Sequence, residues 1–324
     1  MQLKVYVLFG KGVIPAEEVE DTLTAHGMGR SENLDSADFV VVVGDDRDVL
    51  DAIQVLGKRS TPILGVSSGG ASYLTSTTVD DLGSALEALE KGEYEIAEYT
   101  KLEGIVDGET LLHALNEIAV FPSKSATLMS YELYVDGDLV WRDRADGVLA
   151  ATPIGSTAYA LSAGGAVVFE GAQVLELLPV NSIDPSKRPL IVPDSSLIEI
   201  SGISSKHPCE AIADGGMRAR VKSNVEVRKA DTPLRLVRIF STPSVKETLK
   251  EKFPSDLLEM PPSAKFVLKI LEIKGPMSVK ELADETMLPE RTVRYALSEL
   301  LRRGLVRKVV TLRNARQTFY ERSE

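Results

Sequence analysis

The sequence predicts an α/β domain, then an all-β domain, then a small α+β domain, and three observations predict it. Residues 1–125 alternate short apolar runs with helical periods. Residues 126–240 switch to a period of two. Residues 263–324 return to helical spacing and reverse the charge balance, with 241–262 as a proline-rich linker. A chain of 324 residues is long enough for that many separate cores.

In the first region "LKVYVLF" reads as a strand, 15–26 as a helix, "DFVVVVG" as a strand, 48–57 as a helix and "PILGVS" as a strand. Phe39 to Val43 has no polar break, the mark of a parallel strand covered on both faces. In such sheets ligands bind beyond the carboxyl ends of the strands, so the turn "GDDRD", residues 44–48, stands where chemistry is expected. In the second region "SYELYVDGDLVWR" reads as a hairpin around Asp136-Gly137, a pair suited to a primed turn. "LIVPDSSLIEI", "EAIADGG" and "RARVKSNVEVRK" continue as short strands.

The third region holds 13 Lys+Arg against 8 Asp+Glu, a balance of +5, whereas the remainder, 24 against 40, stands at −16. A basic module on an acidic body suggests a nucleic-acid contact. "SAKFVLKILEIKGP" puts Phe266, Val267, Ile270, Leu271 and Ile273 on one helical face and stops at Gly275-Pro276. Ser278 with Glu281 forms a capping-box pattern. "PERTVRYALSELLRRG" buries Val293, Ala296, Leu297, Leu300 and Leu301, leaving Arg291, Thr292, Arg294, Tyr295 and Ser298 outward. Two strands follow around a basic tip that carries Arg313 and Arg316. This order resembles a winged helix-turn-helix. It implies double-stranded DNA as a partner, read by arginine on phosphates and guanine edges, and assembly as a homodimer or homotetramer.

Composition narrows the setting. The one cysteine, Cys209, excludes an internal disulfide and fits a cytoplasmic protein. No Cys/His spacing suggests a metal, and no apolar run approaches a membrane span. "GVSSG" at 65–69 fits a nucleophile elbow, but only His113 and His207 follow it, neither in a recognisable catalytic context.

"DGVLAATPIGSTAYALSAGG", residues 146–165, resembles the signature of the NAD kinase family. "LNEIAV" at 115–120 resembles its Asn-Glu motif, and "RPLIVPDSSLIEI" and "ADGGMRARV" its later strands. The resemblance covers roughly residues 1–240 and excludes the basic module. It implies binding of NAD or NADP and transfer of phosphate from ATP or polyphosphate to the adenosine 2′-hydroxyl. The binding set carried over is Asn116, Glu117, Arg144, Asp146, Thr157, Ala158, Tyr159 and Ser162. The residue types suit the task. Asn116 can pair with a base edge, and Glu117 and Asp146 can accept from ribose hydroxyls.

The family's catalytic loop reads Gly-Gly-Asp-Gly-Thr. Here Gly44 and Asp46 match, Asp45 and Arg47 replace glycines, and Asp48 replaces threonine. Ser67, Ile154 and Gly216 depart where the family usually carries Asn, Thr and Gln. Side chains in a phosphate cradle obstruct the backbone's approach, and added carboxylates repel a polyanion. The expectation is therefore a dinucleotide-sensing, DNA-binding transcriptional regulator with weak or absent kinase activity. The alternative is an active NAD kinase with a fused basic domain, Asp46 as its base, and Mg²⁺ and ATP as requirements.

Overall fold

The computed structural model describes residues 3–10, 16–67, 69, 72–239, 261–286, 288–302, 305–309 and 319–322. The chain forms two compact units, Met1–Thr242 and Pro243–Glu324.

The first unit contains a seven-stranded sheet flanked by α1 (Ala16–Ala25), α2 (Asp46–Leu56) and α3 (Leu82–Lys91). Its order runs Gly29–Arg30, Lys4–Phe9, Phe39–Val43, Ile63–Ser67, Leu234–Ile239, Tyr94–Tyr99, with Thr77–Thr78 paired to Ile63–Ser67. Phe39–Val43 is buried at every position and sits in parallel register between Lys4–Phe9 and Ile63–Ser67. Val40, Val42, Ala52 and Ile53 pack on one side of the sheet, and Val41, Val43, Leu82 and Leu86 on the other. This is the doubly covered strand that its unbroken apolar run requires.

Two six-stranded antiparallel sheets form the rest of the unit. One runs from Asp138–Ala145 through Met129–Val135, Ile198–Ser205, Val225–Lys229 and Leu102–Val106 to Thr110–Ala114. The other runs from Leu190–Pro193 through Val174–Val180, Gly147–Ala151, Glu117–Pro122 and Cys209–Ala213 to Met217–Val221. Their inner faces share one core that includes Leu133, Ile198 and Val227 from the first and Ile118, Leu177 and Ala211 from the second. The predicted hairpin turn is present, with positive φ at both Asp136 and Gly137.

β structure begins earlier than the 125/126 boundary, since the strands from Leu102 to Pro122 lie in these two sheets. The chain also returns to the first sheet at its end. Leu234–Ile239 pairs antiparallel with Tyr94–Tyr99 and touches Ile63 in parallel.

In the second unit, helices Pro262–Lys274, Val279–Thr286 and Glu290–Arg302 pack with an antiparallel sheet ordered Met277–Ser278, Phe319–Arg322, Val306–Val309. Ala264, Val267, Leu271, Leu282, Val293, Ala296, Leu297 and Leu300 form its core. The capping box is made, with the backbone N–H and hydroxyl of Ser278 donating to Glu281 at 2.8 and 2.7 Å. Phe266 departs from expectation: it is exposed, because the buried stripe of its helix runs through Ala264, Val267, Leu268 and Leu271. The linker 241–262 lies outside the described residues except for its last two positions.

Candidate functional site

The site is assembled where the first sheet meets the β layers, and Asp214 is its anchor. Asp214 and Gly215 both adopt positive φ, making the tight turn between Cys209–Ala213 and Met217–Val221. The buried Asp214 carboxylate accepts from the backbone N–H groups of Leu115, Asn116 and Glu117 at 2.9, 2.7 and 3.2 Å. From the other side Thr152 donates its N–H to the Asn116 carbonyl at 2.9 Å and its hydroxyl to the Leu115 carbonyl at 2.5 Å. Gly155 lies so close that a Cβ there would stand 2.0 Å from the Asn116 carbonyl oxygen. The Asn-Glu segment is thus clamped between the 152–155 turn and the 214–215 turn.

The signature continues as a 3₁₀ turn, Gly155–Thr157, and a single helical turn α4, Tyr159–Ser162. Ser156 donates to the Pro153 carbonyl at 2.6 Å and accepts from the Val168 N–H at 2.9 Å, fixing the chain that returns from α4. Thr157 donates to the Ile154 carbonyl at 3.1 Å. Tyr159 is exposed, with its ring 6.1 Å from that of Phe121. Burial, then the charges of Glu117 and Asp146, raise its phenol. Asp146 accepts from the Asn181 amide at 2.9 Å. Ala158 is half-buried, and Ser162 is exposed at the end of α4. Arg144 lines a cleft of about 420 Å³ with Arg142, Asp143, Ile183 and Asp184. Asn116, Glu117 and Thr157 do not line that cleft.

Electrostatics mark the same place. Glu117 is buried with one carboxylate oxygen unpartnered. Burial, and then the neighbouring Asp214, push its carboxyl to about 8 against the pull of Arg47. Burial likewise raises Asp214 to about 6, although three backbone N–H groups and Arg47 oppose the shift. Neighbouring carboxyls with perturbed titration are what binding and catalytic sites display.

The loop after Phe39–Val43 completes the site. Asp45 is the N-cap of α2, accepting from the N–H groups of Arg47 and Asp48 at 2.8 and 3.2 Å. Asp48 reciprocates by accepting from the Asp45 N–H at 3.0 Å. "DDRD" is therefore a capping box, and α2 begins at Asp46 rather than Asp48 because that cap satisfies its first turn. The Asp48 carboxylate fills the space left by two glycines, since a Cβ on Gly10 or Gly44 would stand 2.2 Å from it. A pocket of about 200 Å³ lined by Phe9, Gly10, Asp48, Asp51 and Val55 opens beside it.

Asp46 faces the following loop. It accepts from the Ser72 hydroxyl at 2.7 Å, the Leu74 N–H at 2.8 Å and the Tyr73 N–H at 3.2 Å. Arg238, on the strand that ends the first unit, donates to the Tyr73 carbonyl at 3.1 Å and the Tyr99 hydroxyl at 2.9 Å, steadying that loop. Arg47 turns away from Asp46. Its guanidinium donates to the Asp214 carbonyl and pairs with Asp51 at 3.1 Å.

Sequence reasoning missed Asp214, Arg47 as a structural partner, and Glu176, a buried carboxylate that accepts from the Ala166 N–H at 2.7 Å. The signal for Asp214 was present in "ADGG", an acid entering a glycine turn straight after an apolar strand.

The ATP-NAD kinase N-terminal domain family matches residues 11–94, and the ATP-NAD kinase C-terminal domain family matches residues 115–239. The chain belongs to the NAD kinase family. The NAD kinase of Methanopyrus kandleri is 33% identical over 216 residues, covering 67% of this chain and 77% of that protein. That of Thermoplasma volcanium is 31% identical, covering 73% and 87%. Among solved structures, the Archaeoglobus fulgidus NAD kinase in complex with ATP is 29% identical with a TM-score of 0.64, covering 74% of this chain and 94% of that one. Yeast NADH kinase complexed with NADH shares the fold at 20% identity and a TM-score of 0.68, covering 78% and 88%. The two family matches reach no further than residue 239, so the second unit lies outside them.

In that unit Arg291, Arg294, Tyr295 and Ser298 are exposed on the Glu290–Arg302 helix and Thr292 is half-buried. Arg294 pairs with Glu290 at 3.1 Å. Arg313 and Arg316 lie outside the described residues. Among the described residues no helix is long and apolar enough to cross a membrane, and no group of three or more side chains is placed to hold a metal ion.

Proposed function

We propose that this chain is an NAD kinase, transferring the γ-phosphoryl group of ATP, or a phosphoryl group of polyphosphate, to the adenosine 2′-hydroxyl of NAD. One observation carries the reading. Asp46 shares its helical turn with Arg47, which reaches the Asp214 turn that holds Asn116 and Glu117. Asp46 and the Asn-Glu segment are thereby linked through the first turn of α2 and the Asp214 turn. The relatives named NAD kinase also favour this reading over the regulator expected from the loop alone.

In the proposed reaction Asn116 and the Gly155–Ser162 turn hold the dinucleotide, and Glu117 and Asp146 accept from its ribose hydroxyls. Asp46 takes the 2′-hydroxyl proton as that oxygen attacks phosphorus and ADP leaves. Mg²⁺ bound with ATP would supply positive charge against that of the phosphates. Asp46→Asn removes the proton acceptor, so NADP formation should fall at least about 100-fold.

A second reading is favoured by the capping box. The N–H groups at the start of α2, which would otherwise face a phosphate, are held by Asp45, and the glycine-lined space beside them is filled by Asp48. On this reading the chain binds NAD or NADP without phosphorylating it, and the second unit is a winged helix-turn-helix that reports occupancy on double-stranded DNA. Its helix and strand order and the exposed Arg291, Arg294 and Tyr295 support that module. Assembly as a homodimer or homotetramer would let it read paired half-sites. Incubating the full chain with NAD, ATP and Mg²⁺ separates the two readings by whether NADP appears.

A further inference from the structure

We propose that Arg47 is a positioning residue for the dinucleotide pocket, holding the Asp214 turn across the join between α2 and the β layers, and that Gly216 is the space that admits it. The proposal rests on the reading of this pocket as a dinucleotide site.

Three facts carry it. The guanidinium donates to the Asp214 carbonyl, 167 residues away in sequence, and pairs with Asp51 one helical turn on. A Cβ on Gly216 would stand 1.6 Å from one guanidinium nitrogen, 2.8 Å from its central carbon and 3.2 Å from Asp51. Any side chain at 216 therefore forces the Arg47 head to shift from its seat. The turn that Arg47 grips is the one whose carboxylate organises the backbone of Leu115, Asn116 and Glu117. The grip thereby links α2 to the Asn-Glu segment through one side chain and one turn.

Charge reinforces the geometry. Glu117 is faced by Asp214, Arg47 and Tyr159, and Arg47 is the cation that lowers both buried carboxyls against their burial. Its loss leaves two desolvated carboxyls beside each other without that counter-charge.

The test uses the full chain, NAD and NADP as probes, and two readouts: affinity by calorimetry across pH, and amide hydrogen exchange at Asn116 and Glu117. Arg47→Met should weaken binding about tenfold, the scale of one charge-assisted hydrogen bond. It should also move the pH profile of binding upward, and Arg47→Lys should bring that profile back, which a merely structural role would not produce. Gly216→Ala should match Arg47→Met, and the double variant should be no worse than either single one. Exchange at Asn116 and Glu117 should quicken in both single variants. Unchanged exchange in Arg47→Met, or additive losses in the double variant, overturns the proposal. If the unmodified chain binds neither nucleotide, the dinucleotide reading fails, and the exchange comparison alone decides whether Arg47 holds the turn.

Discussion

Two glycine-bearing loops meet in this site, and they treat their empty space in opposite ways. In the 152–165 turn the space beside Gly155 is filled by backbone, the Asn116 peptide. In the 44–48 loop the space beside Gly44 and Gly10 is filled by a side chain, the Asp48 carboxylate. A glycine pressed against its own backbone is held by the fold whatever the ligand. A glycine that makes room for a ligand can have that room taken over by a charged neighbour, and the helix end then caps itself.

This contrast predicts unequal costs. The largest follows Gly155→Ala. The new Cβ meets a carbonyl that Asp214 and Thr152 hold from both sides, so stability should fall by more than about 3 kcal/mol, and dinucleotide binding with it. Denaturant unfolding with a calorimetric binding check measures both.

Asp214→Asn should come next. The amide keeps one acceptor oxygen but turns an NH₂ group toward a buried backbone N–H, which loses its acceptor, at about 2 to 3 kcal/mol, read by the same unfolding experiment at pH 7. A pH series sharpens the point. Both carboxyls are raised by folding, Glu117 from 4.5 to about 8 and Asp214 from 3.8 to about 6. The folded chain therefore binds these protons more tightly than the unfolded chain, and their contribution to stability falls as pH rises from about 4 to 8. Glu117→Gln should flatten the upper part of that fall, between about pH 6 and 8. An unaltered slope would show that Glu117 is not the titrating group.

In the other loop, Asp45→Gly with Asp48→Thr removes the capping box but keeps Asp46 and Arg47. Stability should fall by only about 1 kcal/mol, the scale of a helix cap. ATP affinity should rise, because two carboxylates no longer face its phosphates. No gain in ATP affinity would mean that the filled cradle is not where the triphosphate lies. The smallest effect on stability belongs to Arg294→Ala on the second unit, within about 0.5 kcal/mol for an exposed pair with Glu290. If that helix reads a base, the same change should weaken specific DNA binding by about 1 to 3 kcal/mol, seen in a titration at fixed salt.

The legible part of the molecule was its local part. Phe39–Val43 announced itself by an unbroken apolar run, Asp136-Gly137 by turn chemistry, and Ser278 with Glu281 by cap spacing. Leu234–Ile239 gave no sign that it would cross back to the first sheet, since nothing in a period of two says which sheet a strand joins. The site divided in the same way. Asp46 and Asn116–Glu117 were visible as motifs. The Asp45–Asp48 capping box is written in four adjacent residues, but the same residues after a buried strand also read as a ligand loop, and only the structure shows them starting a helix. Arg47 with Asp214 and Gly216 was hidden by its 167-residue separation.

In the proposed kinase, Asp46 is a working proton acceptor in a loop whose neighbours have changed. The most direct measurement is NADP formation by purified full-length protein supplied with NAD, ATP and Mg²⁺, run beside Asp46→Asn and the Asp45→Gly, Asp48→Thr variant. Under the kinase reading NADP forms with the unmodified chain, more forms with the two-site variant, and almost none with Asp46→Asn. Calorimetric binding of NAD with no NADP from either the unmodified chain or the two-site variant would contradict it and leave a dinucleotide-binding regulator.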